Sequence, residues 1–523
     1  MPMRPSSRPV LHIGNILNNG YLHCRYLREY GVEADSLNID YLHCQGQPEW
    51  AEVHITDPVE EWNQDWSQID LKGFCRPDWF FDVALSDLPA LGCRLSGAPS
   101  LETISPPEGA PGGEQPNRTL GDVAGMVYRL VRRKTACGLR RAGLDAVVDW
   151  HLLRVFIARL DSMGYTRKVL AKRLSLINQE LSAYYPGEGR ALDLSGCAEW
   201  LSRSLMAAPV MKNYDLLHGY ALDPIYALLA GNGTPFICYE HGTLRDFPFE
   251  PSARGNLYAL ALKRAEKVII TNADCNRAAD RLGLTNTVFI PHIIDDHLFR
   301  PTQTPLRARL LAESGCDVIF LAPARHHWKN CPPGLENSWL KRNDILIRGL
   351  GQLFARRPDI NALVVFFEWG PEVDLSRQLI AECGFSHRVR WEKLQSKPAV
   401  SHYYNAADVV LDQFNAGIGT FGGVVPEAMA CAKPVLLNYR EDLHHWCYPT
   451  LPPVINAPDA EVIADHLERL ADDRTYRLAL GEQGRRWFLD NHSPDVVMRR
   501  LLDVYGEISD RHGLGWHCGK TVG

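Results

Sequence analysis

Short apolar runs closed by glycine or polar clusters, and followed by segments with helical spacing, recur along this chain. Val10-Leu11-His12-Ile13 runs into Gly14 and Asn18-Asn19-Gly20. A helical pattern over 21–30 stops at Gly31, and a second β-like run covers 36–41. The same alternation returns later: a strand at 215–217, a helix at 223–230, and a strand at 234–239 that ends in Glu240-His241-Gly242-Thr243-Leu244-Arg245. Strand, helix and strand follow again at 267–271, 276–282 and 287–290. A further series begins with strand 318–322 and continues through strands 363–367 and 389–391, a helix at 403–407 and a strand at 409–411. It closes with a helix from 424, a β-like run at 434–437, and helices over 460–472, 475–490 and 494–508.

Strands alternating with helices predict parallel sheets covered by helices. The fold class is therefore α/β, with two facing Rossmann-like domains expected because 523 residues exceed one ordinary core. The expected layout is a first domain over 1–300, a second over 301–485, a helix at 486–510, and a frayed tail at 511–523. Residues 104–119 are rich in proline and glycine and are expected to be a mobile loop within an insertion at 104–200.

Composition is globular, 46% hydrophobic and 23% charged, and a net charge of −6 gives no reason to expect nucleic acid. No apolar run approaches the roughly 18 residues of a membrane span, and the N-terminal residues have no signal-peptide core. Fourteen cysteines without Cys-x-x-Cys spacing read as reduced thiols in a cytoplasmic protein, and no metal site is expected. Against the acidic total, the helical stretch at 120–184 is basic: Arg129, Arg132, Arg133, Lys134, Arg140 and Arg141 occur without an intervening acid, and Arg167, Lys168, Lys172 and Arg173 follow. Two readings stay open for 129–173. One is a peripheral contact with the inner face of an anionic membrane or with a lipid-diphosphate acceptor. The other, preferred, is a solvated face paired with acids elsewhere.

Candidate chemistry concentrates in 412–439, where glycines at 417, 419, 422 and 423 follow the run Val409-Val410-Leu411 and precede a helix and a strand. A glycine-rich loop after a parallel strand lies at the edge where open α/β sheets bind ligands. Its amides and the following helix N-terminus suit a diphosphate. Glu427, in the first turn, is placed to reach ribose hydroxyls or simply to complement the helix dipole. His241 after its strand could hydrogen-bond a sugar, or be a satisfied loop histidine; His218 reads as structural. Trp369, at the end of strand 363–367, reads first as core and second as pocket lining. The first loop lacks G-x-G-x-x-G, which argues against an NAD site.

The stretch Phe421-Gly422-Gly423-Val424-Val425-Pro426-Glu427-Ala428-Met429-Ala430, with Lys433-Pro434-Val435, resembles the donor-binding signature of the family-four retaining glycosyltransferases, the glycosyl transferases group 1. The resemblance implies a GT-B fold and a hexosyl transfer with retention from a nucleotide-diphosphate sugar to a hydroxyl acceptor, without metal or other cofactor. Pro291-His292-Ile293-Ile294-Asp295, leading to Phe299 and Pro301, resembles the family's crossover between domains, which puts the boundary near 300, and the resemblance implies that the helix at 486–510 returns to the first domain. The acceptor would be a carbohydrate or lipid-linked. It assigns ribose to Glu427, the sugar to His241, and the diphosphate to Arg325 and Lys341, with Lys329 as the alternative lysine. Gly417, Gly419, Thr420, Phe421, Gly422, Gly423 and Trp369 fall on the donor side, and Asn19 and Gly20 on the acceptor side. The signature departs at Gly419, where the family carries a first glutamate that grips the donor sugar. An epimerase or hydrolase on this fold, or a binding protein without activity, are the alternatives.

Overall fold

The computed structural model describes residues 8–97, 167–331 and 340–516. The expected mobile loop and most of the basic stretch, Arg129 to Arg141 included, lie outside the described residues. Two parallel sheets carry the architecture. The first is built from β1 (Arg8–Ile13), β2 (Ala34–Ile39), β3 (Phe80–Val83), β4 (Tyr214–Tyr220), β5 (Phe236–Tyr239), β6 (Lys267–Ile270) and β7 (Thr287–Phe289), in the order β3-β2-β1-β4-β5-β6-β7. The second contains β8 (Val318–Ala322), β9 (Ala362–Phe367), β10 (Val389–Glu392), β11 (Val409–Leu411), β12 (Val435–Leu437) and β13 (Ile455–Asn456), in the order β10-β9-β8-β11-β12-β13.

In both sheets the order reverses beside the first strand, between β1 and β4 and between β8 and β11. Such a reversal splays the loops that follow the two strands and opens a crevice at their carboxyl ends. The loops after β1, β4, β8 and β11 are those that carry Gly14 to Asn19, Ala221 to Asp223, Arg325, and the glycine-rich stretch. Central strands are buried on both faces: every residue of β8, β9, β11 and β12 is buried. Near-continuous apolar runs are what a doubly covered parallel strand requires.

The helices that position the site are α1 (Asn19–Glu29), α2 (Pro48–Glu52), α3 (Leu88–Leu95), α4 (Arg167–Tyr184), α5 (Leu194–Met211), α6 (Pro224–Ala230) and α7 (Ala253–Arg264) around the first sheet. Next come α8 (Asn276–Arg281), α9 (Pro305–Ser314), α10 (Asn343–Arg356), α11 (Val373–Glu382), α12 (Lys397–Ala406) and α13 (Val424–Ala430), then α14 (Ala460–Asp472), α15 (Arg474–Asn491) and α16 (Pro494–His512). Helix α16 places Val497, Leu501, Val504, Tyr505 and Ile508 in one core with Leu27 of α1 and with Val10, Leu216, Ile237 and Ile269 of the first sheet. Those positions repeat at i, i+4, i+7, i+8 and i+11, one apolar stripe of a helix. The chain thus crosses to the second sheet after β7 and returns at its end. The tail expected to fray from 511 is docked as far as Trp516. Arg511 pairs with Glu266 at 2.5 Å, and the Trp516 indole N–H donates to Asp215 at 3.3 Å. No described helix is long and apolar enough to cross a membrane.

Candidate active site

The residues expected to hold the diphosphate sit on the two connections that follow β8 and β11. Arg325 follows β8 and is half-buried, with its guanidinium 3.2 Å from His327 Nδ1. Burial lowers its pKa, and the Glu61 carboxylate of the first half of the chain opposes that shift. Lys341 stands two residues before α10, where its backbone N–H donates to His327 O at 2.6 Å. Its ammonium donates to Gln413 Oε1 at 2.6 Å. Burial pulls the Lys341 pKa down to about 8 against the attraction of Asp412, and the fields of Arg325 and Arg245 add to the fall. Asp412 is itself pushed up to about 6 by burial, with Lys341 opposing and Glu427 reinforcing, and its Oδ2 has no hydrogen-bond partner among the described residues. Lys341, Asp412 and Glu427 are therefore electrostatic neighbours at the ends of β8 and β11.

Glu427 is buried in the first turn of α13. One carboxylate oxygen pairs with the Lys397 ammonium and the other accepts from the Tyr404 hydroxyl at 2.9 Å. Both partners come from α12, whose first turn begins at Lys397. Glu427, Gly423 and Lys397 line a cavity together with Asn19, His292, Asp295 and Phe299, so the donor-side carboxylate and the acceptor-side loop share one hollow. Asn19 opens α1 and donates to Ile16 O at 3.1 Å, while its Oδ1 is buried without a partner among the described residues. The loop before it is held in the left-handed region at Leu17 and Asn18, conformations uncommon for residues other than glycine. Gly20 packs against Gly14, and a Cβ at Gly20 would meet Gly14 O at 2.4 Å. Its place is set by close backbone approach.

On the opposite wall, His241 follows β5. Its ring stacks on His292 with centroids 4.9 Å apart, and its Nε2 is buried without a partner among the described residues. Burial, then His292 and His23, hold its pKa well below the usual range, so the imidazole is neutral. Beside it, Glu240 accepts from the Thr271 and Asn272 amides, both at 2.8 Å. Burial pushes the Glu240 carboxyl up, but Arg245 and these donors more than offset it. Arg245 is fixed bidentately on Asp274, at 2.5 and 2.7 Å, and its field reaches Lys341 across the cleft. His218 is fully buried and bonded to Tyr505 at 2.7 Å, a structural role.

The glycine-rich loop divides. Gly417 is exposed, and Gly422 and Gly423 are partly exposed. Thr420 and Phe421 turn inward: the threonine hydroxyl lies 3.1 Å from His444 Nε2, and the phenyl ring stacks on His444 at 5.3 Å. Only their backbones face the loop side. Gly419 has φ +59, and a Cβ there would lie 2.7–3.0 Å from the Arg440 side chain. A glutamate at 419 would meet both an unfavourable backbone and an occupied space. Trp369 is partly buried, with its indole N–H donating to Pro323 O at 3.0 Å, which braces the loop before Arg325. Lys329, the alternative lysine, is exposed, and its backbone N–H is bonded to Glu372.

Sequence reasoning did not select Arg245, Lys397, Tyr404, Asp412 or Gln413. Arg245 had a signal, standing four residues after His241 in the same strand-end loop. Lys397 and Tyr404 had none, because nothing in the order of residues joins 397 and 404 to 427.

The family model for glycosyl transferases group 1 matches residues 338–487. A D-inositol 3-phosphate glycosyltransferase from Salinispora tropica is 31% identical over 182 residues, which is 33% of this chain and 37% of that protein. The match thus spans little over a third of the curated relative's length. Among solved structures, a glycosyltransferase from Rickettsia africae superposes with a TM-score of 0.50 at 12% identity, over 96% of this chain and 99% of that one. Anabaena Alr3699/HepE in complex with UDP and glucose superposes with a TM-score of 0.46 at 17% identity, over 62% of this chain and 84% of that one. The fold is GT-B, and residues 338–487 match the model of the glycosyl transferases group 1 family.

Proposed function

We propose that the protein transfers a hexosyl group from a nucleotide-diphosphate sugar to a hydroxyl acceptor, with retention at the anomeric carbon and without a metal ion. The observation that carries this reading is the proximity of three cations, with the fields of Arg325 and Arg245 both acting on the buried Lys341. Arg325 and Lys341 follow β8 at the second sheet's switch point, and Arg245 follows β5 of the first sheet. Departure of a nucleotide diphosphate builds negative charge, and fixed cations and loop amides in a partly dehydrated site are suited to stabilise it. Lys341 held near pKa 8 is an ammonium that gains from an anion, because its present neighbours do not fully compensate its burial.

In this reading Glu427 accepts hydrogen bonds from the ribose hydroxyls, with Lys397 and Tyr404 fixing its orientation. The neutral His241 donates or accepts at a sugar hydroxyl, and Asn19 Oδ1 accepts from a hydroxyl of the acceptor other than the one that attacks. The sugar leaves and is attacked on the same face, through an oxocarbenium-like transition state, and a departing phosphate oxygen takes the acceptor's proton. The glycosidic C–O bond to phosphate breaks as the bond to the acceptor oxygen forms. Gly419 removes the family's first glutamate, so its grip on the donor sugar falls to other groups.

Calorimetric titration with nucleoside diphosphates, combined with a nucleotide-release assay, tests the proposal. Arg325→Ala is expected to lower turnover about 10²–10³-fold, the cost of deleting one group that stabilises developing charge, with an unchanged denaturation midpoint. Wild-type turnover in that variant would contradict the reading. Binding of nucleotide without release by the wild type would favour a binding protein.

A further inference from the structure

Between β2 and β3 the chain makes an excursion over 40–79 with its own small core, in which Cys44, Trp50, Val53 and Ile55 are buried against Trp66, Ile69, Leu71 and Phe74. Trp62 is left out of it. At 55% exposure it is the most exposed large hydrophobic side chain among the described residues. Its backbone is nevertheless tightly held: Trp62 forms an antiparallel bridge with His43, Cys44 N donates to Glu61 O at 2.9 Å, and Asn63 N donates to Leu42 O at 2.9 Å. The His43 ring braces the indole edge to face, with centroids 4.6 Å apart at 90°, and Tyr41 meets it at 6.3 Å and 81°. An indole that is presented to solvent but fixed on two rings loses little freedom when something lies on it.

The position of this indole gives it meaning. Glu61, next to it, pairs with His43 Nε2 at 3.2 Å and lies within the field of Arg325 across the cleft. The same excursion touches the second half of the chain again where Ile55 N donates to Ser396 Oγ at 3.1 Å, next to Lys397. Trp62 therefore stands on the excursion that bonds to the second half of the chain beside Lys397, one residue from a carboxylate that feels the field of the candidate diphosphate cation. A flat apolar face beside a hydrogen-bond-accepting carboxylate matches a pyranose, which has one C–H face and a rim of hydroxyls.

We propose that Trp62 and Glu61 form the recognition platform for a saccharide acceptor, with a pyranose ring stacked on the indole and its hydroxyls bonded to the Glu61 carboxylate. The proposal rests on the glycosyltransferase reading and narrows its acceptor to a sugar.

The test uses the full chain and its Trp62→Ala, Trp62→Phe and Glu61→Gln variants. The probes are methyl glycosides and disaccharides of gluco, galacto, manno and N-acetylglucosamine configuration. Saccharide-stimulated nucleotide release should show KM for the saccharide raised tenfold or more in Trp62→Ala and less in Trp62→Phe. Nucleoside diphosphate affinity, measured by calorimetry, should match wild type. Equal saccharide KM in Trp62→Ala would overturn the proposal. So would stimulation of the wild type only by non-sugar alcohols, or a parallel loss of nucleotide affinity, which would place Trp62 on the donor. If the wild type binds no nucleoside diphosphate, the glycosyltransferase reading fails by itself. Saturation-transfer NMR with the same saccharides then decides the platform separately: signal lost in Trp62→Ala supports it, and no signal in the wild type sinks it.

Discussion

Lys341 shows how one residue's surroundings set its chemistry. A lysine in water is charged to beyond pH 10, whereas this one is held near 8 by burial, with only Asp412 pulling the other way. It is an ammonium at pH 7 and an amine above about 8.5. Affinity for a nucleoside diphosphate should therefore be full near pH 7 and fall as pH rises through 8 to 9. A guanidinium keeps its charge throughout this range, so Lys341→Arg should flatten the alkaline fall while its longer, forked group lowers affinity at pH 7. Calorimetric Kd values at intervals from pH 7 to 9.5 check this, and an identical alkaline limb in Lys341→Arg would show that another group is responsible. Gly419 makes the complementary point. The side chain of Arg440, paired with Asp442 at 2.6 Å, fills the space a 419 side chain would need. The departure from the family signature is thus built into the local packing and is not an isolated substitution.

At the scale of elements, the last helix is fastened to the first sheet by a line of alternating imidazoles and phenols. His218 Nδ1 meets Tyr505 OH at 2.7 Å, and Tyr505 OH meets His12 Nε2 at 3.2 Å. His12 Nδ1 then meets Tyr220 OH at 2.7 Å, and that hydroxyl meets His23 Nδ1 at 2.7 Å. Each hydroxyl can donate once and accept once, so every shared proton has a place. Tyr505→Phe removes one of the two hydroxyls and strands two buried ring nitrogens, at roughly 1–3 kcal/mol each. Tyr30→Phe, one residue past α1 at the exposed contact with Asp495 of α16, should cost no more than about 1 kcal/mol. Urea denaturation of the two variants measures both, and equal midpoints would mean that the buried line holds nothing. Periodicity placed the described strands other than the short β3 and β13, and the last helix, because their apolar positions repeat cleanly. It missed α7, in which Gly255 to Leu262 are all buried and no polar face marks a helix, and α5, which carries Pro209 in its interior. It started the helix before β11 at 403, whereas the chain turns at Lys397, because Pro398 suits a first turn as well as a loop. The loops after β8 and β11 were legible for the same reason the fold was: parallel strands carry ligands at their carboxyl ends. The pairing of 397 and 404 with 427 was not, being made entirely by packing.

For the whole molecule, buried neutral histidines set the acid limit. Burial, the leading cause in each case, holds His23 and His492 near 3 and His292, His326 and His444 near 4, and depresses His12, His218 and His241 well below their usual range. They occur on both sheets and at the junction between them, where His492 Nε2 meets His292 O at 2.8 Å. A histidine whose folded pKa is lowered carries no penalty above about pH 6.5, where folded and unfolded chains are both neutral. Below that pH only the unfolded chain takes up the proton, so stability falls by up to about 1.4 kcal/mol per pH unit for each such group. Three carboxyls act in the opposite sense: burial raises Asp223 to about 7, Asp412 to about 6, and Asp296 above its usual value. They are protonated in the folded chain before the unfolded one and so favour folding as pH drops toward 4. Eight groups against three leaves the histidines dominant between pH 6.5 and 5. Calorimetric melting from pH 8 to 5 should give a plateau above about 6.5 and a steep fall beneath it, well before ordinary surface carboxylates titrate. A Tm that stays level down to pH 5 would mean that these imidazoles are hydrated or paired in the folded protein, and that the dry core joining the two sheets is not as dry as its packing implies.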